Sequence, residues 1–191
     1  MPCHKLETIL TRQTRPKLVW DAQRPAYTQG NIKVHLCHEK YHLPETTVQV
    51  QEEDTWRVLS SEIAINEQRE QHPVRVMTDL LDQERSRPGD VLIHGINWYA
   101  INYDLDQHPI CQPQWLRESM HTILLKAVEQ NISSLCIPLP GVAHGHISLS
   151  DSVAIIMDVI QDFPSEQALL LWIRAQTEDI HEIWIQLKAR A

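Results

Sequence analysis

The apolar residues in the second half of the chain fall into short compact runs that alternate with spaced stripes. "GDVLIHGIN" is a compact run opened by the turn "RPGD", and it predicts a buried strand from Val91 to Ile96. In "QPQWLRESMHTILLKAVEQN", Leu116, Met120, Ile123, Leu124, Ala127 and Val128 recur at helical spacing, so a helix over Trp115 to Gln130 should turn that stripe inward. "SSLCIPLP" predicts a second buried strand. Asp151 to Phe163 predicts a second helix, striped by Val153, Ile156, Met157, Ile160 and Phe163 and capped by Ser150 or Asp151. "ALLLWIRAQ" reads as a third strand, and "TEDIHEIWIQLKARA" as a closing helix with Thr177 as cap and Glu178 and Asp179 at its positive end. Strand and helix therefore alternate, the pattern of an α/β layer protein with adjacent, mostly parallel strands joined by helical crossovers.

The first half carries weaker periodicity. "PKLVWDA" and "NIKVHLCHE" read as strands, "TTVQVQEED" alternates as a strand does, and "TWRVLSSEIAINEQREQ" fits a helix from Thr55 to Gln71. "VRVMTDLL" is a further strand candidate. No repeat, low-complexity tract or Pro/Gly/Ser-rich linker divides the halves, so residues 1–191 read as a single domain with a divergent segment 1–70.

Composition narrows the function classes. With 42% hydrophobic and 22% charged residues the chain is of ordinary globular composition, and 191 residues can bury a substantial core. A net charge of -8 argues against direct nucleic-acid binding, since none of the 17 basic residues forms a long run. No apolar stretch approaches the roughly 20 residues of a membrane span, and "MPCHKLETIL" lacks the apolar core of a secretion signal, so the expected location is cytoplasmic. Cys3, Cys37, Cys111 and Cys136 form no CxxC pair and are expected to be free thiols.

Candidate chemistry concentrates in "PLPGVAHGHISLSD", which lies between a predicted strand and a predicted helix. In parallel α/β sheets such loops run into helix N-termini, whose backbone N–H groups can hold an anion. Gly141 and Gly145 can adopt backbone angles closed to other residues and let the chain approach a phosphate. A bulky substitution at either would then abolish binding while sparing the fold.

This loop, its flanking elements and their spacing resemble the C-terminal half of a macro domain, the ADP-ribose-binding α/β/α fold. In that family a strand like "VIHAVGP" leads to a helix, a strand ending in a Pro-x-Ile-Gly-x-Gly phosphate loop, then helix, strand and final helix. Here "VLIHGIN", the Trp115 helix, "SLCIPLPGVAHGH", the Asp151 helix, "ALLLWIRAQ" and the Thr177 helix follow in that order, over residues 87–191. The resemblance implies a three-layer α/β/α fold about a mixed, mostly parallel sheet. It implies a ligand site at Gly141, Val142, Ala143, His144, Gly145 and His146, with Asp21 of "KLVWDAQ" toward an adenine. The implied partner is an ADP-ribose-type small molecule or an ADP-ribosylated protein.

The departures are specific. The family's second loop glycine falls at Ala143 or shifts to Gly145, and Pro140 replaces a branched apolar residue. The family's Asn-Ala-Ala-Asn segment and the Gly-rich loop after it are missing, and His38 and Glu39 of "NIKVHLCHE" stand where the asparagines belong. Removal of ADP-ribose from a target would have to use His38, Glu39, His144 or His146, so binding is expected rather than hydrolysis. A macro-like fold with a decayed pocket, serving as a protein-interaction module, is the alternative.

Other constellations carry less. His35, Cys37, His38 and His42 are competent zinc ligands, but His38 points to the opposite strand face from His35 and Cys37 and no second cluster completes a site. Neither a metal nor a cofactor is expected. Cys136 lies in an apolar run and should behave as a small hydrophobe. Ser148, Ser150 and Ser152 lack a GxSxG turn, and no P-loop or GxGxxG occurs. Trp98 and Tyr99 either stack on a base or cover the sheet edge.

Overall fold

The computed structural model describes residues 25–59, 85–164 and 166–190. In chain order the elements are β1 (Tyr27–Gln29), β2 (Ile32–His38), β3 (Val48–Asp54), β4 (Val91–His94), β5 (Asn97–Tyr103), α1 (Pro113–Glu129), β6 (Ser134–Ile137), α2 (Leu149–Asp162), β7 (Leu169–Ala175) and α3 (Ile180–Ala189). They form one mixed sheet in the order β1-β2-β7-β6-β3-β5-β4. The five central strands run parallel, and β1 and β4 pair antiparallel at the two edges. This is the layered α/β class, with a mostly parallel sheet, that the sequence led us to expect.

Alternation explains how the core assembles. Val34 and Leu36 of β2 lie in register with Leu171 and Ile173 of β7, which lie in register with Leu135 and Ile137 of β6. Those residues, with Val48 and Val50, meet the helix stripes in one apolar core. Leu116, Met120, Ile123, Leu124 and Ala127 of α1 are buried as the spacing predicted, whereas Val128 is 37% exposed. α2 contributes Val153, Ile156, Met157 and Ile160, and α3 contributes Ile180, Ile183 and Leu187. α2 packs between α1 and α3, so the three described helices lie side by side on this sheet face. A smaller cluster of Cys37, Cys136 and Trp172, with Tyr41 and Leu43 against it, forms on the opposite face.

The expectation for Val91 to Ile96 needs correction. Val91–His94 is a half-buried edge strand, not a central one, and Gly95 and Ile96 form the turn of a hairpin closed by the His94–Asn97 pair. Gly95 has φ +61°, and Ile96 is 53% exposed. The strand that leads into α1 is β5, "NWYAINY", which the sequence reading passed over. Ala100, Ile101, Asn102 and Tyr103 are buried in succession, so both faces of its second half are covered, and β3 and β4 pair with its two edges. Consequently β4 is not a neighbour of β6, and only β6 and β7 of the three expected strands are adjacent.

Boundaries shifted where caps decide them. α2 begins at Leu149 with Ser148 as its cap, whose Oγ accepts from the Asp151 N–H at 3.1 Å. Asp179 occupies the N-cap position of α3 without a side-chain cap bond, in place of Thr177. Residues 55–59 of the expected Thr55 helix are turn and irregular backbone, with Arg57 at φ +60°. The rest of that helix, "PKLVWDA" and "VRVMTDLL" lie outside the described residues.

Candidate functional site

β6 delivers the loop 138–147 at the carboxyl edge of the parallel strands, and the loop ends in the cap of α2. Gly141 takes φ +76°, which suits a residue without Cβ, and reverses the chain. Its carbonyl then accepts from Gly145 N at 3.0 Å and Ile147 N at 3.2 Å, while Val142 N donates to Leu139 O at 3.3 Å. The turn is thus closed by its own backbone. Ala143, His144 and His146 are exposed, Val142 and Gly145 half-buried, and Gly141 buried. Among the described residues, the N–H groups of Ala143 and His146 have no hydrogen-bond acceptor. His146 holds φ +55°, an unusual conformation for a residue with a side chain.

The glycines are explained by close packing within the protein. A Cβ on Gly141 would meet Ile147 Cγ1 at 2.7 Å and Leu116 Cδ1 at 2.8 Å. One on Gly145 would meet Cys111 Cβ at 2.6 Å and the Gly141 carbonyl oxygen at 2.8 Å. Side chains and backbone of the fold already occupy the space beside both glycines, so substitution there threatens folding itself.

Beneath the loop lies a polar network that the sequence reading missed. Val48, Val50 and Glu52 share a face of β3, so the alternation that buries the valines carries a carboxylate inward. Glu52 Oε1 accepts from Gly141 N at 2.7 Å and from Asn102 Nδ2 at 2.8 Å. Ser119 Oγ of α1 donates to Asn102 Oδ1 at 2.7 Å and fixes that amide. Burial raises the Glu52 carboxyl above the ordinary glutamate range, against the lowering effect of the Gly141 and Asn102 bonds. These groups line a small cleft with Val50, Ala100, Met120, Ile123, Ile137 and Pro140 that has room for about one water molecule. The usable signal was in the strand: a charged residue at the third inward position of an otherwise apolar face.

Tyr103 and Cys111 complete the surroundings. The buried Tyr103 hydroxyl has no well-formed hydrogen bond among the described residues, and its ring meets the His144 imidazole edge-on at 5.7 Å. Burial and then the Glu52 charge push the phenol far up, and the same causes push the Cys111 thiol up to about 12.

The adjoining strand ends are acidic and internally satisfied. Asp54, fully buried, accepts from the N–H groups of Trp56 at 2.7 Å, Val58 at 2.8 Å and Leu59 at 3.0 Å. Asp104 accepts from Arg85 and Gln107, and from Asp106 N at 3.2 Å. Burial works to raise the Asp104 carboxyl, but these donors outweigh it and leave the group below the ordinary range. Arg85 also lies over the Trp56 ring at 5.2 Å.

The remaining sequence candidates disperse. Asp21 lies outside the described residues. His38 ends β2, two strands or roughly 10 Å from the strand that feeds the loop, and Glu39 follows in the exposed turn. His35 packs on Trp172 at 4.7 Å between ring centres, and Cys37 and Cys136 are buried. Cys136 donates toward Cys37, which lowers the Cys37 thiol and raises its own. Among the described residues no group of three or more His, Cys, Asp or Glu is placed to hold a metal ion. Trp98 is wholly buried in the core and cannot serve as an exposed stacking platform, while Tyr99 is half-buried against His94. Ser148 is occupied as the α2 cap. No described helix is long and apolar enough to cross a membrane.

No protein-family model matches the chain, and no curated protein does. Solved structures do. A variant of the Oceanobacillus iheyensis macrodomain with ADPR superposes with a TM-score of 0.62 at 14% identity, over 86% of this chain and 96% of that one. The Trypanosoma brucei macrodomain in complex with ADP-ribose gives 0.56 at 13% identity, over 88% of this chain and 74% of its own. The macrodomain of Thermus aquaticus DarG gives 0.51 at 12%, over 74% of this chain and 99% of its own. The fold of this chain is therefore that of a macrodomain, in a divergent form.

Proposed function

We propose that this macrodomain fold binds an ADP-ribose-type nucleotide diphosphate, free or attached to a protein, at the loop 138–147. The position of that loop is the observation that carries the reading. It leaves a parallel strand at the sheet's carboxyl edge and enters a capped helix of 14 residues, where exposed backbone donors meet the positive helix end. The N–H groups of Ala143 and His146 and the imidazoles of His144 and His146 are the donors on offer, with Gly141, Val142 and Gly145 shaping the turn. Asp21 is the proposed contact to the adenine, by the family resemblance. The site is proposed to bind and not to hydrolyse, because the Asn-Ala-Ala-Asn segment and the Gly-rich loop that the family resemblance ties to hydrolysis are missing from the sequence. Structural neighbours that hold ADPR, ADP or ADP-ribose support the ligand class.

A second reading, a closed pocket whose surface engages a protein, is favoured by one specific feature. Glu52 already takes the Gly141 donor, and a carboxylate under the loop repels phosphate. Titration calorimetry with ADP-ribose up to millimolar concentration separates the two. Saturable one-to-one heat, weakened by His144→Ala and His146→Ala together, is expected, with thermal stabilisation of about 2.7 kcal/mol at a hundred times the dissociation constant. Absence of heat at every pH tested would leave the closed-pocket reading standing.

A further inference from the structure

We propose that Glu52 puts this site under proton control: it is an internal carboxylate that holds the loop's innermost donor and must take up a proton from solvent before a phosphate can replace it there. The inference rests on the ADP-ribose reading above and adds the regulation of that site.

The placement of Glu52 makes it unusual. Its neighbours in the cleft are Val50, Ala100, Met120, Ile137 and Pro140, an apolar lining where an ionised carboxylate is costly without partners. Its two well-formed hydrogen bonds fall on one oxygen, from Gly141 N at 2.7 Å and Asn102 Nδ2 at 2.8 Å, and both donors are neutral. The groups facing it can be gone through element by element. β5 presents Asn102 and Tyr103, α1 presents Ser119 through Asn102, the segment before α1 presents Cys111, and the loop presents His144. Among these only His144 can become a cation; the neutral Tyr103 phenol faces the carboxylate and favours its ionised form, and Cys111 can only add negative charge. The carboxylate is therefore held by dipoles alone, and burial already favours its protonated form.

The Gly141 amide carries one hydrogen. A phosphate oxygen and the Glu52 carboxylate cannot both take it, and two anions that approach one donor from within and above the loop repel. Transfer of a solvent proton to Glu52 removes the repulsion and frees the amide, with no other bond made or broken. Ligand binding then takes up a proton. Above the pKa of Glu52 in the free protein, affinity should fall by up to about tenfold per pH unit.

The test is calorimetry with ADP-ribose at pH 8 in two buffers of different ionisation enthalpy, on the unmodified chain, Glu52→Gln and His144→Asn. Glu52→Gln keeps shape and the acceptor oxygen while removing the charge. The expected result is at least tenfold tighter binding by Glu52→Gln and a proton uptake that Glu52→Gln abolishes and His144→Asn retains. Heat from Glu52→Gln alone, with a silent unmodified chain, also supports the inference. Equal affinities, or a proton uptake that disappears with His144→Asn, overturns it and leaves the ADP-ribose reading intact. Silence from both the unmodified chain and Glu52→Gln overturns that reading and the inference together. Should Glu52→Gln fail to fold, the proton count on the unmodified chain against His144→Asn decides the matter.

Discussion

Replacing Gly141 by alanine separates a glycine required by packing from one required by a ligand. The added methyl would sit 2.7 Å from Ile147 Cγ1 and 2.8 Å from Leu116 Cδ1, closer than real Cβ contacts come. Both neighbours are side-chain atoms of packed residues, and Leu116 is fully buried, so relief requires shifts in the small cluster of Tyr103, Cys111, Leu116 and Ile155. Overpacking of this kind costs about 1–3 kcal/mol. The φ of +76° adds strain for any residue with a Cβ, about 1–2 kcal/mol. A loss of about 2–5 kcal/mol corresponds, for a chain of this length, to a fall in Tm of roughly 5–20 °C. Gly95→Ala is the matched control, because Gly95 has φ +61° but nothing within 4 Å of its would-be Cβ, and it should lose only the backbone part. Urea denaturation of both variants, and of Gly141→Ala combined with Leu116→Ala, is the assay. Removing Leu116 Cδ1 should make the double variant less unstable than the sum by about 0.5–3 kcal/mol. If Gly141→Ala loses no more than Gly95→Ala, the packing argument is wrong and the glycine is free for another purpose.

Further expectations follow from the buried carboxylates and thiol. Asp54→Ala should lose at least about 2 kcal/mol in urea denaturation, since it strands the N–H groups of Trp56 and Val58 while Leu59 keeps Glu53 Oε1, with Asp54→Asn intermediate; a neutral result would discount those bonds. Asp104 and Glu52 should give opposite pH trends in chemical denaturation. The lowered Asp104 contributes stability above the ordinary aspartate value near 3.9 that disappears as pH falls through its folded value, so the gap to Asp104→Asn should shrink in acid. The raised Glu52 contributes stability below the ordinary glutamate value near 4.3 that disappears as pH rises through its folded value, so Glu52→Gln should gain on the unmodified chain with rising pH. A trend of the opposite sign at either residue would refute the assignment there. Cys111, with its thiol pushed up to about 12, should resist iodoacetamide at pH 8 in the native protein and react on unfolding, as read on its peptide by mass spectrometry.

Sequence alone determined the elements whose periodicity is strong and local. The stripe on Pro113–Glu129 and the apolar runs at Ser134–Ile137 and Leu169–Ala175 were legible because each signal is complete within its own segment. The same locality placed the loop 138–147 between a strand and a helix, and with it the candidate site. Tertiary structure decided what pairing and packing decide. "VLIH" and "NWYAINY" are both apolar, and only their antiparallel pairing about Gly95 and Ile96 shows that the first is an edge and the second the interior strand. Gly141 and Gly145 read alike as permissive residues, yet their reasons differ: one needs positive φ, and the other must clear Cys111, which lies 34 residues away in the chain (145 less 111). Glu52 lies 89 residues from Gly141 and 50 from Asn102, so no local pattern could reveal that the three share one hydrogen-bonded cluster. The sheet brings them together because β3 and β5 lie side by side and β6 delivers its loop over their carboxyl ends.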